Sequence, residues 1–204
     1  MADGKTRLPQ PMRPSGRMGR IFGWVMSRLN QDAYRWTVDQ LRAGPPKSFL
    51  EIGFGTGHLL ARAIRTFRLQ RAAGVDPSEL MVETTKKHPK RFAKNVALDI
   101  RLGDDTSLPD GPFDAIAALH SFQFWSDPDA TLARIRNRLA PSGRFVLVLR
   151  MRVSRNVAKW IPNPLSRSGN EIAAACDALE RAGFSVIGMQ GISKTSQGIV
   201  AVAR

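Results

Sequence analysis

Phe49-Leu50-Glu51-Ile52-Gly53-Phe54-Gly55-Thr56-Gly57 is the stretch on which the fold turns. A short apolar run enters a loop with glycine at every second position, and helical spacing resumes at Leu59, Ala63, Ile64 and Phe67. Glycines there let the backbone bend sharply and bring a ligand against bare amides at a helix N-terminus. The dinucleotide pattern G-x-G-x-x-G would require a glycine at position 58, where the chain has His58. Glu51, two positions before the first glycine, would repel a pyrophosphate and suits a ligand with a positive centre or an ammonium group. No Gly-Lys-Ser/Thr follows, which excludes a Walker-type phosphate loop.

The pattern around the loop repeats its logic. Apolar runs at Ser48–Ile52, Ala72–Val75, Ala97–Leu102, Phe113–Leu119, Arg144–Arg150, Phe184–Met189 and Ile199–Ala203 read as strands. Helical periods lie between them, at Leu80/Met81/Thr84/Thr85, Leu132/Ile135/Leu139 and Ile172/Ala175/Cys176/Leu179. Asp127-Pro128 supplies an N-cap and a first-turn proline. Ser168-x-x-Glu171 is a capping box, and Gly183 closes the helix it opens. Strand and helix in alternation predict an α/β fold with a doubly wound, mainly parallel sheet covered on both faces. The last two runs are separated only by GISKTSQGI, too short for a helical crossover, so they are expected to form an antiparallel hairpin.

Acids stand at the tips of the next two strands. Asp76, in Gly74-Val75-Asp76-Pro77-Ser78, lies 23 residues beyond Gly53, where a carboxylate takes both hydroxyls of a ribose. The alternative is that Asp76 caps the following helix with Pro77 at its first position. Gly103-Asp104-Asp105 ends the third strand, and by itself reads as an ordinary Gly-Asp turn.

With 204 residues, one domain is expected, and 43% apolar with 24% charged residues is globular composition. One cysteine excludes a disulfide framework and a cysteine-based zinc cluster, and no metal site is expected. No apolar run reaches the roughly 18–20 residues of a membrane-spanning helix. The opening MADGKTRLPQPMRPSGR lacks the apolar core of a secretory signal, so the expected compartment is the cytoplasm. The net charge of +14 predicts attraction to anionic partners. Residues 1–17, rich in proline and basic side chains, read as a flexible arm.

Taken in order, E-x-G-x-G-x-G at 51–57, V-D-P-S at 75–78, G-D-D-T-S-L-P at 103–109, F-D-A-I at 113–116, R-N-R-L-A-P-S-G-R-F-V-L-V at 136–148 and L-E-R-A-G-F at 179–184 carry a resemblance. The chain resembles the class I S-adenosylmethionine-dependent methyltransferases, in the branch of the ubiquinone/menaquinone-biosynthesis-type small-molecule enzymes. The resemblance implies a Rossmann-like seven-stranded sheet with the last strand antiparallel. It divides the chain into a helical lid at 18–46 and a methyltransferase domain at 47–204. It implies S-adenosyl-L-methionine as cofactor, with Gly53, Gly55 and Gly57 against its methionine and ribose parts and Glu51 near the methionine end. Asp76 would take the ribose hydroxyls, Met81 would pack beside the adenine, and Asp104 would accept from the adenine amino group. Phe54, Thr56, Pro77, Asp105 and Leu119 complete the implied cofactor-lining set, and Leu119, His120 and Ser121 would lie near the sulfonium and the methyl acceptor.

The acceptor side is less specific. The N/D-P-P-Y/F signature of amino-nitrogen methyltransferases is absent, and Cys176 reads as a packing residue within its helix. His120 is the candidate general base for a hydroxyl acceptor, with lining the pocket as the alternative. His58 and His88 read as helix-surface residues. Phe122, Phe124 and Trp125 either wall an apolar acceptor pocket or anchor their loop. Basic residues from Arg134 to Arg167 and the cluster Lys86, Lys87, Lys90, Arg91 and Lys94 form a solvated surface or receive an anionic acceptor, lipid headgroups or RNA. Ile21, Phe22, Trp24, Val25 and Met26 fit a lid; a second reading lays that helix on acidic membrane. The reading favoured is methyl transfer to a small-molecule or lipid-like acceptor. An RNA methyltransferase and a non-catalytic cofactor-binding protein are the alternatives.

Overall fold

The computed structural model describes residue 23 and residues 25–92, 94–151 and 168–204 of the chain. In chain order these form α1 (Gln31–Arg42), β1 (Ser48–Ile52), α2 (His58–Phe67), β2 (Arg71–Asp76), α3 (Glu79–Lys86), β3 (Ala97–Leu102) and β4 (Phe113–Leu119). Then follow α4 (Pro128–Arg138), β5 (Leu139–Arg150), α5 (Gly169–Arg181), β6 (Phe184–Ser193) and β7 (Ser196–Ala203). The expected basic arm at 1–17 lies outside the described residues. No helix among the described residues is long and apolar enough to cross a membrane.

The seven strands form one sheet in the order β3-β2-β1-β4-β5-β7-β6. The pairs β1–β2, β1–β4, β2–β3 and β4–β5 are parallel, whereas β7 is antiparallel to both β5 and β6. The expected fold is therefore the observed one, with two differences. Leu139, expected within a helical period, instead opens β5, ahead of the strand start expected at Arg144. The β6–β7 hairpin is also longer than its apolar residues suggest, because pairing continues to Ser193↔Ser196 around Lys194 and Thr195.

Period-two alternation divides the side chains of each strand between two cores. Phe49, Ala72, Ala115, Ala117, Val146 and Val148 face α1, α2 and α3, where they meet Leu41, Leu59, Leu60 and Ile64. Leu50, Ile52, Val75, Ile116, Ala118, Phe145, Leu147 and Leu149 face α4 and α5, where they meet Leu132, Ile135 and Leu179. The same parity puts Glu51 on the side of Phe49, Asp76 on that of Ala72, and Arg150 on that of Val146 and Val148. Three charged strand ends thus emerge on the face covered by α1–α3.

The helices start and stop where their ends are satisfied. Asp127 accepts the Ala130 N–H at 3.0 Å, with Pro128 following. Ser168 and Glu171 form the expected capping box, and Gly183 ends α5 at φ +83°. Helix α1 is built into the sheet rather than hinged beside it. Leu41 is wholly buried, Arg144 Nη1 donates to the Gln40 carbonyl at 3.2 Å, and Trp36 Nε1 donates to Gln190 Oε1 at 2.9 Å. The Trp36 ring lies so close over Gly198 that a Cβ there would meet ring carbons at 2.3–2.7 Å. Helix α1, on the N-terminal side of the boundary expected at 46/47, packs directly on β5 and β7.

Candidate functional site

The C-terminal ends of β1, β2 and β4 converge on the glycine loop. Gly53, Gly55 and Gly57 all have positive φ, at +75°, +53° and +70°. At such φ a Cβ is strained, which is the conformational reason for the alternating glycines. Space supplies a second reason at two of them. A Cβ on Gly53 would lie 3.0 Å from Ser121 Cβ, and one on Gly57 would lie 3.0 Å from Thr85 Cγ2. At Gly55 a Cβ would meet nothing within 4 Å among the described residues, so the loop is open there with respect to them.

The loop is held from several sides. The Gly53 N–H donates to the Val75 carbonyl at 2.8 Å, and Ser121 Oγ donates to the Ile52 carbonyl at 3.2 Å. Thr85 Oγ1 donates to the Gly55 carbonyl at 3.4 Å, and Arg91 Nη1 to the Thr56 carbonyl at 3.2 Å. Phe54 is buried, with its ring against Gly74, where a Cβ would approach it at 2.7 Å. Arg91 thus belongs to the loop's support, although its sequence neighbours suggested only a basic surface.

Asp76 is almost fully buried and accepts two backbone bonds, from Gly55 N–H at 2.7 Å and from Ser78 N–H at 2.9 Å. The cap of α3 is Ser78, whose side chain accepts from Met81 N–H. Asp76 therefore joins the glycine loop to the α3 turn instead of capping the helix. Burial pushes its carboxyl up to about 6, against the pull of the two N–H donors. Glu51 is 2% exposed, and its Oε2 has no hydrogen-bond partner among the described residues. Burial raises its carboxyl well above the usual range, the charge of Asp76 raises it further, and the Leu60 N–H in the first turn of α2 opposes both.

Beyond β4 the chain turns through His120 at φ +54°, a left-handed conformation uncommon outside glycine, Asn and Asp. Its N–H donates to the Val148 carbonyl at 2.8 Å, and its carbonyl accepts from Gln123 Nε2 at 2.5 Å. The ring is 8% exposed, and neither Nδ1 nor Nε2 has a partner among the described residues. Burial, then the positive charge of Arg150, pushes its pKa down to about 3. Phe122 and Trp125 are buried in the core on the α4–α5 side, ring centroids 5.0 Å apart, so they anchor the loop and do not wall a pocket.

A second polar group closes the site beside α1. Tyr34 is buried; burial first, and Glu51 second, hold its phenol protonated, while its bond to Asn30 opposes both. Arg150 Nη2 donates to Asn30 Oδ1 at 3.3 Å, and Arg62 Nη2 donates to Gln31 Oε1 at 3.0 Å. His58, expected on the helix surface, is half-buried instead. Its ring stacks on Tyr34 with centroids 6.5 Å apart, and burial and the neighbouring arginines lower its pKa. Gly23 brings the preceding segment against the loop. A Cβ on it would lie 3.1 Å from Thr56 Cγ2 and 3.2 Å from Met81 Cε. The one sequence signal for this group was available: Arg150 shares the parity of Val146 and Val148.

The remaining expected residues divide. Leu119 and Met81 are buried at the loop. Pro77 lies in the turn between Asp76 and the Ser78 cap. Asp104 accepts from the Thr106 N–H at 2.9 Å and from Thr106 Oγ1 at 2.6 Å, forming a turn after β3. Asp105 is committed to α4, accepting from Thr131 Oγ1 at 2.5 Å beside Arg134 at 3.5 Å. The carboxylate that the resemblance implies among the cofactor-lining residues thus finds donors on α4. No group of metal-ligating side chains occurs among the described residues.

Comparison with known proteins agrees with this frame. The methyltransferase domain family matches residues 50–145. The uncharacterized methyltransferase YdaC of Bacillus subtilis is 26% identical over 170 residues, covering 83% of this chain and 89% of that protein. The demethylmenaquinone methyltransferase of Thermus thermophilus is 28% identical over 121 residues, covering 56% of this chain and 53% of that protein. Among solved structures, a SAM-dependent methyltransferase from Aquifex aeolicus superposes with a TM-score of 0.71 at 21% identity, covering 87% of this chain and 93% of that one. These likenesses support an S-adenosylmethionine-dependent methyltransferase with S-adenosylmethionine as its cofactor.

Proposed function

We propose that the chain transfers a methyl group from S-adenosylmethionine to a small-molecule or lipid-like acceptor, with the glycine loop, Glu51, Asp76 and Met81 as the cofactor's cradle. The observation that carries this reading is the pairing of a buried, unpartnered Glu51 oxygen with space at Gly55 that the described residues leave open. A buried carboxylate oxygen lacking a partner is unfavourable unless a cation completes it, and the cofactor brings an ammonium and a sulfonium. When bound, S-adenosylmethionine supplies an electrophilic methyl on that sulfonium.

The protein's share is alignment. Asp76 is proposed to take the ribose hydroxyls while retaining its bonds to Gly55 and Ser78. Met81, buried beneath Gly23, is proposed to pack against the adenine, and the segment through Gly23 to close over the loop as a lid. Asp104 remains the proposed partner of the adenine amino group. His120, with a pKa near 3, is uncharged at neutral pH and too weakly basic to be an efficient general base in the free protein. Its proposed role is to orient an acceptor that is already nucleophilic, a contribution through proximity. A small acceptor follows from the likeness to the demethylmenaquinone methyltransferase.

Calorimetric titration with S-adenosylhomocysteine, with NADH as control, tests the cradle. Radiolabelled methyl transfer to small-molecule, lipid and RNA fractions tests the acceptor. Label confined to RNA would overturn the acceptor class, and binding without transfer to any fraction would favour a non-catalytic protein.

A further inference from the structure

Arg150 ends β5 two strands from the glycine loop, on the face that also presents Glu51. Its side chain is partly buried. A guanidinium carries five N–H donors, and buried donors are normally matched. Arg150 has one hydrogen bond, to the neutral Asn30 amide at 3.3 Å, and no ion pair among the described residues. Arg134 and Arg138, also partly buried, each stand beside a carboxylate, Asp105 and Asp110. His120 lies near enough for the Arg150 charge to disfavour its imidazolium, and both of its ring nitrogens are unpartnered and buried. The neighbouring Ser121 touches the glycine loop at Gly53, so these groups border the place where a methyl would be delivered.

Resting on the methyltransferase reading above, the geometry points to a methyl acceptor that carries an anionic group, carboxylate or phosphate, bound by the Arg150 guanidinium with the His120 ring beside it. The planar fork matches either oxyanion, and a neutral imidazole donates from one nitrogen while accepting with the other. Burial strengthens both interactions by excluding water. Arg150 is then an acceptor-binding residue that sets specificity for charge, and Asn30, at the N-cap of α1, is the side chain that aims it.

The test uses the full chain saturated with S-adenosylhomocysteine. Benzoate and phenyl phosphate, with benzyl alcohol as a neutral probe of similar body, are titrated while the His120 ring signals are followed by NMR. The expected result is binding of at least one anion tenfold or more tighter than the alcohol, with a shift of the His120 ring. That preference should vanish in Arg150→Gln, whose affinity for S-adenosylhomocysteine stays at the wild-type value, and return in part in Arg150→Lys. Equal binding of anions and alcohol, or a preference that persists in Arg150→Gln, overturns the inference. Should Arg150→Gln not fold, the wild-type preference and the His120 shift decide. If S-adenosylhomocysteine fails to bind, the cofactor reading falls, and the anion titration of the free protein still judges Arg150 independently.

Discussion

Asp76→Asn separates what the buried acid does for the fold from what it does for the ligand. The carboxyl moves from an ordinary 3.8 to about 6 on folding, which corresponds to about 3 kcal/mol between its two protonation states. Because the folded value is the higher one, the folded protein holds the proton more tightly. The group's contribution is fully present below about pH 4 and is lost as pH rises through about 6. At neutral pH the wild type therefore carries a buried charge held by two N–H donors, at 2.7 and 2.9 Å. Asparagine removes the charge, but its amide nitrogen must face one of those donors, a loss of about 1–3 kcal/mol. The two terms nearly cancel, so Asp76→Asn is expected within about 2 kcal/mol of wild-type stability at pH 7.5, or above it. Its stability should also rise relative to wild type between pH 4 and 7. Urea denaturation at pH 4.5, 6 and 7.5 reads this, in a comparison that includes the change in Glu51, whose carboxyl the Asp76 charge raises. The same variant should bind S-adenosylhomocysteine about 10- to 100-fold more weakly, the scale of lost charge-assisted hydrogen bonds. A variant more than 2 kcal/mol less stable at pH 7.5 with unchanged pH dependence would refute the burial argument, and unchanged affinity would refute the ribose assignment.

Three further outcomes follow from particular contacts. Gly198→Ala places a methyl within 2.3–2.7 Å of the Trp36 ring, so the ring must move and its bond to Gln190 break. A loss of about 1–3 kcal/mol is expected, read by thermal melting, and an unchanged melting temperature would contradict the packing of α1. Thr131→Val removes the hydroxyl that donates to Asp105 at 2.5 Å and should cost about 1–2 kcal/mol while leaving cofactor affinity intact; weakened S-adenosylhomocysteine binding would place Asp105 at the site. In the free protein His120, with its pKa at about 3, should show no ring titration by NMR between pH 5 and 8. A midpoint near 6.5 would mean that the ring is solvated.

How much of this was legible in the sequence depends on the scale of the signal. The sheet was readable because β1, β2, β4 and β5 are apolar on both faces, and the glycine loop because alternate glycines have a conformational reason visible in the letters alone. The hairpin was underestimated, because Gln190 to Ser193 lie on an edge strand with no apolar partner to mark them, and backbone pairing alone extends it. Arg91 and Arg150 read as surface charge because neighbouring basic residues flank them, and charge runs do not reveal which member turns inward. Asp105 and Asp104 are adjacent and chemically identical, and only the third dimension assigns one to Thr131 and the other to Thr106. His58 and Tyr34 are far apart in sequence, so their stacking had no local signature.

The parity of the strands links fold to function more tightly than any one residue does. Glu51, Asp76 and Arg150 reach the same face because each sits an even number of positions from an apolar neighbour on that face. All three are displaced toward their uncharged forms, upward for the acids and downward for the arginine, with burial the largest cause each time. Charges buried for structural reasons are normally paired with one another, as Asp105 is with Arg134. Here Glu51 and Arg150 have opposite signs on one face, yet no ion pair joins them among the described residues; Arg150 instead bonds Asn30. A site that keeps a buried acid and a buried base apart is complementary to ligands of both signs, a cationic cofactor and an anionic acceptor. Helix α1 and its N-cap lend Tyr34 and Asn30 to this group while Trp36 and Leu41 fix it to the sheet, so the covering element is positioned by the core itself. It follows that the two ligands together should stabilise the fold by more than either alone, since each relieves a desolvated charge beside the other.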